Sequence, residues 1–527
     1  MKLFTIVTTL SLSLASWASP QFQRRQTNFT VGQIVETSSG PVAGHAAPTA
    51  PEVSEYLGIP YAQAPIGDLR FAAPVKFAGS SLINGSNFGF TCPALPSTGS
   101  SPTAAEVAAA NLTEVGLEFL AVTTSPDVVY SEDCLYLNIW TKPQSGESQK
   151  AVMVFIYGGD FEGGSSSIGV YNGGVLADQE DVVIVNFNYR LSILGFPGNP
   201  TAQDNLAFLD QRLVIEWVRD NIANFGGDPA RITLFGQSAG SSSTDFYSYA
   251  WACDPIIAGM ILESGTIDSF TLPYSANDSA AFWYDVTAAV GCGNASTDSA
   301  TLLTCMRNVD VNSILAAVPR SGINAAQSAF GPTVDDIIVF SNYSNLTPAS
   351  IPVVVGNDNY ESGLFRTELA LSGGVFPDSV WDMYELSGYT CPSGLRANYS
   401  LAANNPTWRF RWFAVFPDLD ISSEAGAYHG IELPLIFGTT NSFSTVNVTA
   451  DEITFTAYIR GAWVAFAKDP VNGLTTYGWP LYDPAEETLI RLGFDNATGL
   501  NLAFPMLYDA GCANATSLLD LEISFLG

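Results

Sequence analysis

The stretch of sequence that decides the fold is ITLFGQSAG, at residues 232–240. Its first four residues are an apolar run typical of a short buried β-strand, and its last five form a GxSxG pattern centred on Ser238. Ala239 and Gly240 are small, and a helix can begin there. A strand, a tight turn and a helix in this order predict a nucleophile elbow, because small residues allow a turn sharp enough to expose the serine hydroxyl.

The hydroxyl of Ser238 needs a base, because a serine is a weak nucleophile near neutral pH until its proton is taken. The 527 residues include two histidines, His45 and His429. His45 lies in a stretch rich in Gly, Ala and Pro, which predicts a surface loop. These two imidazoles are therefore the candidate bases.

Short apolar runs alternate with helical stretches between residues 150 and 360. Five of these runs predict strands that are buried on both faces: residues 152–156, 182–185, 232–235, 260–262 and 352–355. Residues 204–224 have apolar side chains at helical spacing and are followed by a Gly-Gly pair. The alternation predicts an α/β fold with a large, mostly parallel central sheet and helices on both faces.

Candidate site residues follow three of the predicted strands. Ser238 comes directly after one strand, Gly158 and Gly159 follow a second, and Glu361 follows a third. Ligands of parallel sheets bind at the carboxyl ends of the strands, so we expect these residues to lie at one edge of the sheet.

The first 18 residues predict a secretory signal peptide. Lys2 supplies the positive charge, residues 3–14 are apolar, and residues 15–18 provide small side chains for cleavage. The apolar run is shorter than the roughly 20 residues that span a membrane. For residues 19–527 we predict a single domain with long excursions from the sheet.

Sequons and cysteines also indicate secretion into an oxidising compartment. Eleven Asn-x-Ser/Thr sequons are present, at Asn28, Asn84, Asn111, Asn277, Asn294, Asn342, Asn345, Asn398, Asn447, Asn496 and Asn514. The seven cysteines have no CxxC spacing, and with two histidines the chain offers few zinc ligands. We therefore expect disulfide bonds, one unpaired thiol, and neither a metal nor a cofactor.

The formal net charge of −31 argues against nucleic acid as a partner, because so negative a surface repels phosphate. After the signal peptide, no segment reaches the length of a membrane span without charged residues, so we expect no stable membrane anchor. These properties are compatible with a small-molecule or lipid substrate, and they leave the oligomeric state open.

Other motifs stand in a fixed order along the chain. They are YLGIPY at residues 56–61, SEDCLYLN at 131–138, NYR at 188–190, the block 210–240 that contains the GxSxG pattern, and FG at 437–438. In these motifs the chain resembles the type-B carboxylesterase family of the α/β-hydrolase fold, which includes cholinesterases and secreted fungal lipases. The resemblance covers nearly the whole mature chain and implies a secreted serine hydrolase of carboxylic esters.

The resemblance implies a catalytic triad of Ser238, Glu361 and His429. Ser238 is then the nucleophile, and His429 is the base that takes its proton. Glu361, in the motif GNDNYE at 356–361, is the acid that orients the imidazole and stabilises its protonated form. The order Ser, Glu, His along the chain is the one expected for this fold.

An oxyanion hole formed by the backbone N–H groups of Gly159, Asp160 and Ala239 is also implied. The chain departs from the family pattern at Asp160, where Gly or Ala is usual, and a carboxylate turned inward would repel the oxyanion. Either that side chain points away, or the hole uses a different pair of donors. The chain departs again at Gln237, where many members carry Glu.

By the same resemblance, Phe161, Leu364 and Phe365 are expected to line the substrate pocket, with core packing as the other reading of Phe365. Residues 104–122 lie between Cys92 and Cys134 and have amphipathic helical spacing. A lid over an apolar acyl pocket and an ordinary surface helix both fit this spacing.

The resemblance also implies which cysteines pair. The expected disulfides are Cys92–Cys134, Cys292–Cys305 and Cys391–Cys512. Cys253 is then left over, and we expect it to be a buried free thiol. Two structural ion pairs are implied as well, Arg70 with Glu132 and Arg190 with Asp210.

The expected function is hydrolysis of apolar acyl or aryl esters through an acyl-enzyme intermediate. A lipase or sterol esterase and a feruloyl-type esterase are the alternatives, because the sequence does not separate these substrates. A non-catalytic adhesion protein of the same fold is a distant alternative, since such members lose triad residues and usually carry a membrane segment.

Overall fold

The computed structural model describes residues 29–95, 102–123, 128–269, 273–321, 327–328, 330–442 and 444–514. The predicted signal peptide at residues 1–18 lies outside the described residues, as does the sequon at Asn28.

A large sheet of eleven strands lies at the centre of the described residues. The strands in chain order are β1 (Val42–Ala43), β2 (His45–Ala47), β3 (Ala50–Pro60), β4 (Ile83–Asn84), β5 (Tyr136–Thr141), β6 (Lys150–Ile156), β7 (Val183–Phe187), β8 (Gly227–Gln237), β9 (Gly259–Glu263), β10 (Arg320–Ser321), β11 (Gln327–Ser328), β12 (Val353–Asp358), β13 (Thr407–Trp412), β14 (Leu489–Leu492) and β15 (Leu502–Ala503). Two separate pairs, β1 with β4 and β10 with β11, lie outside the large sheet.

The strand order across the large sheet is β15-β14-β13-β12-β9-β8-β6-β7-β5-β3-β2. Neighbouring strands from β14 to β7 run parallel. The edge strands β15, β5, β3 and β2 pair antiparallel. The five apolar runs predicted as buried strands correspond to β6, β7, β8, β9 and β12. The prediction of a large, mostly parallel sheet is confirmed.

The described residues also form sixteen α-helices. They are α1 (Ala104–Ala109), α2 (Glu114–Thr123), α3 (Gly174–Glu180), α4 (Ser192–Gly195), α5 (Leu206–Asn221), α6 (Ala239–Ala250), α7 (Ala276–Ala289), α8 (Ser299–Asn308), α9 (Val311–Ala316), α10 (Ser362–Leu371), α11 (Asp378–Glu385), α12 (Cys391–Ala402), α13 (Leu433–Phe437), α14 (Ala450–Lys468), α15 (Gly473–Tyr477) and α16 (Met506–Asp509). Every residue of β6, β7, β9 and β12 is buried. Because successive side chains of a strand point to opposite faces, both faces of the central sheet are covered.

The amphipathic segment predicted over residues 104–122 consists of two helices rather than one. Asn111, between α1 and α2, has a left-handed φ of 48°, which a continuous helix does not allow. The hydroxyl of Thr113 then accepts a hydrogen bond from the N–H of Gly116 at 3.0 Å, and α2 begins there. Thr113 and Asn111 therefore set the break between the helices.

The three expected disulfides are present in the structure. They join Cys92 to Cys134, Cys292 to Cys305 and Cys391 to Cys512. The expectation for Cys253 is wrong, because this thiol is exposed. It lies in the turn that follows α6, where the chain reaches the surface before it returns to the sheet as β9.

Two ion pairs implied by the resemblance are also formed. Arg70 binds the carboxylate of Glu132, and Arg190 binds Asp210 with a nitrogen–oxygen distance of 2.7 Å. The prediction of a surface loop for His45 is wrong, because His45 is the first residue of the edge strand β2. The chain reverses direction at residues 47–50, so that β2 pairs with β3 and His45 lies opposite Glu55.

Candidate active site

The carboxyl ends of the parallel strands carry the candidate site residues at one edge of the sheet. Ser238 follows β8, the glycine loop that contains Gly159 follows β6, and Glu361 follows β12. His429 lies in the long connection between β13 and α13. The sheet therefore brings four segments of the chain to the same edge, because parallel strands end together there.

Ser238 occupies a sharp turn between β8 and α6. Its backbone has φ 58° and ψ −126°, values that a residue with a side chain rarely adopts. The turn is held by a hydrogen bond from the N–H of Ser238 to the carbonyl oxygen of Glu263 at 2.8 Å. It also needs Gly240, since a Cβ there would lie 2.0 Å from the carbonyl oxygen of Ile156. Ser238 is partly exposed at this turn, although both of its neighbours are buried.

Glu361 and His429 are in direct contact. The Nδ1 atom of His429 lies 2.6 Å from Oε2 of Glu361, and both side chains are buried. The second carboxylate oxygen of Glu361 accepts a hydrogen bond from the backbone N–H of Asp358 at 2.7 Å. Because a carboxylate only accepts, Nδ1 of the neutral imidazole carries the proton, and Nε2 presents its lone pair.

The lone pair of Nε2 faces Gln237, the residue before Ser238. The side-chain amide nitrogen of Gln237 lies 3.1 Å from Nε2 of His429. Within the described residues, Gln237 and not Ser238 is the hydrogen-bond partner of this nitrogen. Sequence reasoning noted Gln237 only as a departure from the family pattern and missed this contact.

Carboxyl groups surround His429 on its inner side. Burial lowers the pKa of His429, but the carboxylates of Glu361, Glu432 and Glu368 outweigh burial and raise the pKa above its ordinary value of 6.5. Burial also raises the pKa of Glu432, to about 7. For Asp358, burial and then the neighbouring carboxylates raise the pKa well above its usual range.

The glycine loop after β6 turns sharply beside Ser238. Gly159, Asp160 and Phe161 have consecutive positive φ values of 108°, 55° and 60°. A Cβ on Gly158 would lie 2.9 Å from Cβ of Ser238, so the loop touches the serine directly. Ala239 is the first residue of α6, and the first N–H groups of a helix have no partner inside the helix. The loop and the start of α6 therefore lie beside Ser238.

The carboxylate of Asp160 lies near the hydroxyl of Tyr274. Burial, and then the charges of Asp160 and Glu162, raise the pKa of Tyr274 to about 12. Asp160 itself is half-buried.

The three residues expected to line the pocket have different surroundings. The ring of Phe365 lies 5.3 Å from the imidazole of His429. Leu364 is half-buried against the main core. Phe161 is 1% exposed, and its ring contacts Phe196 inside the molecule. A role of these three side chains in substrate binding stays a prediction.

A further aromatic residue escaped sequence reasoning. The ring of Tyr389 lies 5.2 Å from the imidazole of His429, and its side chain is buried. It belongs to the π-helical turn Leu386–Thr390 between α11 and α12. No sequence motif marks Tyr389, because it is the packing of this turn that places its ring against His429.

Comparison with known proteins identifies the class to which this fold and site belong. The sequence model of the carboxylesterase family matches residues 31–390, and the chain belongs to this family. The match includes Ser238 and Glu361 and ends before His429. The chain is therefore a carboxylic-ester hydrolase with an α/β-hydrolase fold.

Individual relatives are similar over most of their length. Chlorogenic acid esterase of Aspergillus niger is 32% identical over 511 residues, which cover 92% of this chain and 95% of the relative. Secreted lipase 5 of Gibberella zeae is 32% identical over 531 residues, covering 92% and 94%. Cholinesterase of Mus musculus is 35% identical over 529 residues, covering 88% and 84%.

Proposed function

We propose that this protein is a secreted serine carboxylesterase that cleaves apolar acyl or aryl esters, with Ser238 as nucleophile, His429 as general base and Glu361 as the acid. The observation that carries the proposal is the 2.6 Å contact between Glu361 and His429 beside the strained turn at Ser238. A buried carboxylate–imidazole pair has little to contribute to stability alone, but it is what a serine base requires.

The reaction starts when Oγ of Ser238 attacks the ester carbonyl while Nε2 of His429 takes the hydroxyl proton. The C–O bond to the alcohol then breaks, and His429 returns that proton to the leaving alkoxide. This leaves an acyl group on Ser238. A water molecule then attacks the acyl carbon while His429 takes a proton from it. The bond between the acyl carbon and Oγ of Ser238 breaks, His429 returns the proton to Oγ, and the carboxylic acid leaves. Through both steps Glu361 stabilises the imidazolium.

Negative charge develops on the carbonyl oxygen in each step. We assign its stabilisation to the backbone N–H groups of Gly159, Asp160 and Ala239, which lie on the glycine loop and at the start of α6. Fixed donors in a site closed to water stabilise a developing oxyanion strongly, and losing one typically costs about a hundredfold in rate or more.

The substrate class that we propose is an ester with an apolar acyl or aryl group. Support comes from the aromatic surroundings of His429, where the rings of Phe365 and Tyr389 lie 5.3 Å and 5.2 Å from the imidazole. The relative from Aspergillus niger, named for an aromatic-acid ester, supports the same class. The loss of charge at Gln237 argues against a cationic substrate.

The test is a substrate panel measured with the wild-type protein and with Ser238→Ala. It includes p-nitrophenyl esters of increasing acyl length, methyl ferulate and an emulsified triglyceride. We expect hydrolysis that depends on Ser238 and favours soluble apolar or aryl esters. If Ser238→Ala hydrolyses these esters as fast as wild type, the proposed mechanism is wrong. If the wild-type protein hydrolyses none of the esters, the result favours the non-catalytic adhesion protein.

A lipase or sterol esterase is the second candidate, and the position of α2 favours it. The ring of Phe119 on α2 lies 5.9 Å from that of Tyr428, the residue before His429. A Cβ on Gly116 would lie 2.2 Å from the carbonyl oxygen of Ile421, so the helix packs closely on the same loop. A sharp rise in activity above the solubility limit of the substrate would favour the lipase.

Secretion is part of the proposal, with residues 1–18 removed and residues 19–527 folding as one domain. Three disulfides support an oxidising compartment. The sequon asparagines from Asn84 to Asn496 are all exposed and open to glycosylation. In the described part of the chain, no helix is long and apolar enough to cross a membrane. N-terminal sequencing of the protein from culture medium, with and without glycosidase, tests processing and glycosylation.

A further inference from the structure

The side-chain amide of Gln237 is wedged between the glycine loop and the loop that carries His429. Gln237 is 5% exposed. On one side, its Oε1 atom lies 3.0 Å from the position that a Cβ on Gly158 would take. On the other side, its Nε2 atom lies 3.1 Å from Nε2 of His429 and 3.4 Å from the Cβ position of Gly430. Gly158 and Gly430 lie on either side of the amide, and their lack of a side chain leaves space for it.

The contact bears on the protonation state of the imidazole. An amide nitrogen only donates hydrogen bonds, so Nε2 of His429 has to accept. With Glu361 accepting from Nδ1, this arrangement suits a neutral ring whose proton is on Nδ1. A protonated ring has no lone pair on Nε2, and its N–H would then point at the N–H of Gln237. The amide therefore favours the neutral ring over the protonated one.

We propose that Gln237 is a positioning residue, whose amide N–H holds Nε2 of the neutral imidazole of His429 in the resting site and disfavours the protonated ring. Because Nε2 has one lone pair, the amide yields it to the hydroxyl of Ser238 when attack begins. This inference rests on the proposed roles of Ser238 and His429. It gives Gln237 two effects on the reaction. The base stays unprotonated at lower pH, and the imidazolium formed during attack returns its proton to the leaving alkoxide more readily.

Other groups around His429 act in the opposite direction. Glu361, Glu432 and Glu368 are negative neighbours that favour the protonated ring. Tyr389 contacts the ring face, and Asp358 accepts a hydrogen bond from the next residue, Gly430. Among these groups the amide of Gln237 contacts Nε2 itself. A change at Gln237 should therefore alter the titration of His429 without removing the pair that it forms with Glu361.

The experiment replaces Gln237 with the isosteric carboxylate, Gln237→Glu, and with an apolar side chain of similar length, Gln237→Met. The control is Gln211→Met on α5, since Gln211 is also buried and its amide donates to Oγ of Ser243 at 3.0 Å. Because the chain has two histidines, NMR of histidine-labelled protein follows each imidazole directly. His45→Gln assigns the remaining signal to His429.

We expect Gln237→Glu to raise the titration midpoint of His429 by about one to three pH units, because a carboxylate against Nε2 favours the imidazolium. The acid limb of kcat/KM should move by the same amount. Gln237→Met should raise both midpoints by less, and Gln211→Met should move neither. A merely structural role of Gln237 would change the thermal midpoint and leave the titration of His429 in place.

An unchanged NMR midpoint in folded Gln237→Glu overturns the inference. Gln237→Met tests the amide itself, because it removes the N–H without adding a charge, and an unchanged midpoint there overturns the inference whatever the Glu variant shows. Failure of the proposed function looks different, since hydrolysis would then survive Ser238→Ala while the NMR titration of His429 still responds to Gln237. The titration tests the contact, and the activity of Ser238→Ala tests the mechanism.

Discussion

The carboxylate of Asp358 accepts a hydrogen bond from the backbone N–H of Gly430 at 3.0 Å. The backbone N–H of the same Asp358 donates to Glu361 at 2.7 Å. One residue at the end of β12 therefore holds both the candidate acid and the loop that carries His429. The 2.6 Å contact between Glu361 and His429 depends on these two loops keeping their relative position.

Asp358→Leu should lower kcat/KM by about ten- to a hundredfold, because it removes the acceptor of the half-buried Gly430 N–H and frees the His429 loop. Asp358→Asn is the matched variant. Its amide oxygen still accepts, and it is uncharged like the protonated carboxyl that burial favours at this position. We expect it within about threefold of wild type. Equal losses of kcat/KM in the two variants would show that the activity does not depend on the hydrogen bond to Gly430.

Ser238→Ala should reduce ester hydrolysis by several orders of magnitude, because the nucleophile and its base act as a unit. Its far-ultraviolet circular dichroism and thermal midpoint should stay close to those of wild type, since Ala removes only the exposed hydroxyl. A variant that keeps more than a few per cent of the activity contradicts the assignment.

His429→Ala should be as damaging as Ser238→Ala, whereas His45→Ala should be nearly neutral. His45 lies on the edge strand β2, where its Nε2 atom is 3.7 Å from a carboxylate oxygen of Glu55. It serves as the control for removal of an imidazole from this chain. Steady-state rates on one soluble p-nitrophenyl ester decide between the two. Loss of activity in the His45 variant alone would mean that the proposed triad is wrong.

The rate should fall as pH is lowered through the pKa of His429, because a protonated imidazole cannot take the serine proton. The pKa of this residue is raised, since burial lowers it but Glu361, Glu432 and Glu368 outweigh burial. The midpoint of the acid limb of kcat/KM should therefore lie above 6.5, the ordinary value. Below it, the rate should fall about tenfold per pH unit. A midpoint well below 6.5 would contradict the charge distribution described here.

Asp160→Gly should keep kcat within about tenfold of wild type, a change under about 1.4 kcal/mol. Asp160 has a φ of 55°, which Gly adopts freely, and its backbone N–H remains. Removing a carboxylate near the developing oxyanion can also raise kcat, most visibly at neutral pH. Asp495→Gly is the control, because Asp495 is exposed and has a similar φ of 52°. A loss near a hundredfold would mean that the carboxylate of Asp160 has a task in the reaction.

The sequence predicted the sheet and the turn at Ser238 because both depend on local patterns. Apolar runs mark β6, β8 and β12, and the residues of these runs are buried in the structure. The break at Asn111 was not predicted, since amphipathic spacing continues through it and only the backbone conformation shows the change. The expectation that Cys253 is buried was wrong. It rested on the small, apolar character of the residue, and the sequence around it does not show that the chain turns at the surface there.

The sequence by itself determined the mostly parallel sheet, the tight turn that exposes Ser238 and the two imidazoles from which the base is drawn. These follow from residue size, apolar periodicity and a count of two histidines. The tertiary structure alone decided the contacts of His429, with Glu361 at a separation of 68 residues and with Gln237 at 192. Such contacts depend on the paths of the loops after parallel strands. Those paths are set by packing between distant segments, which no local pattern records.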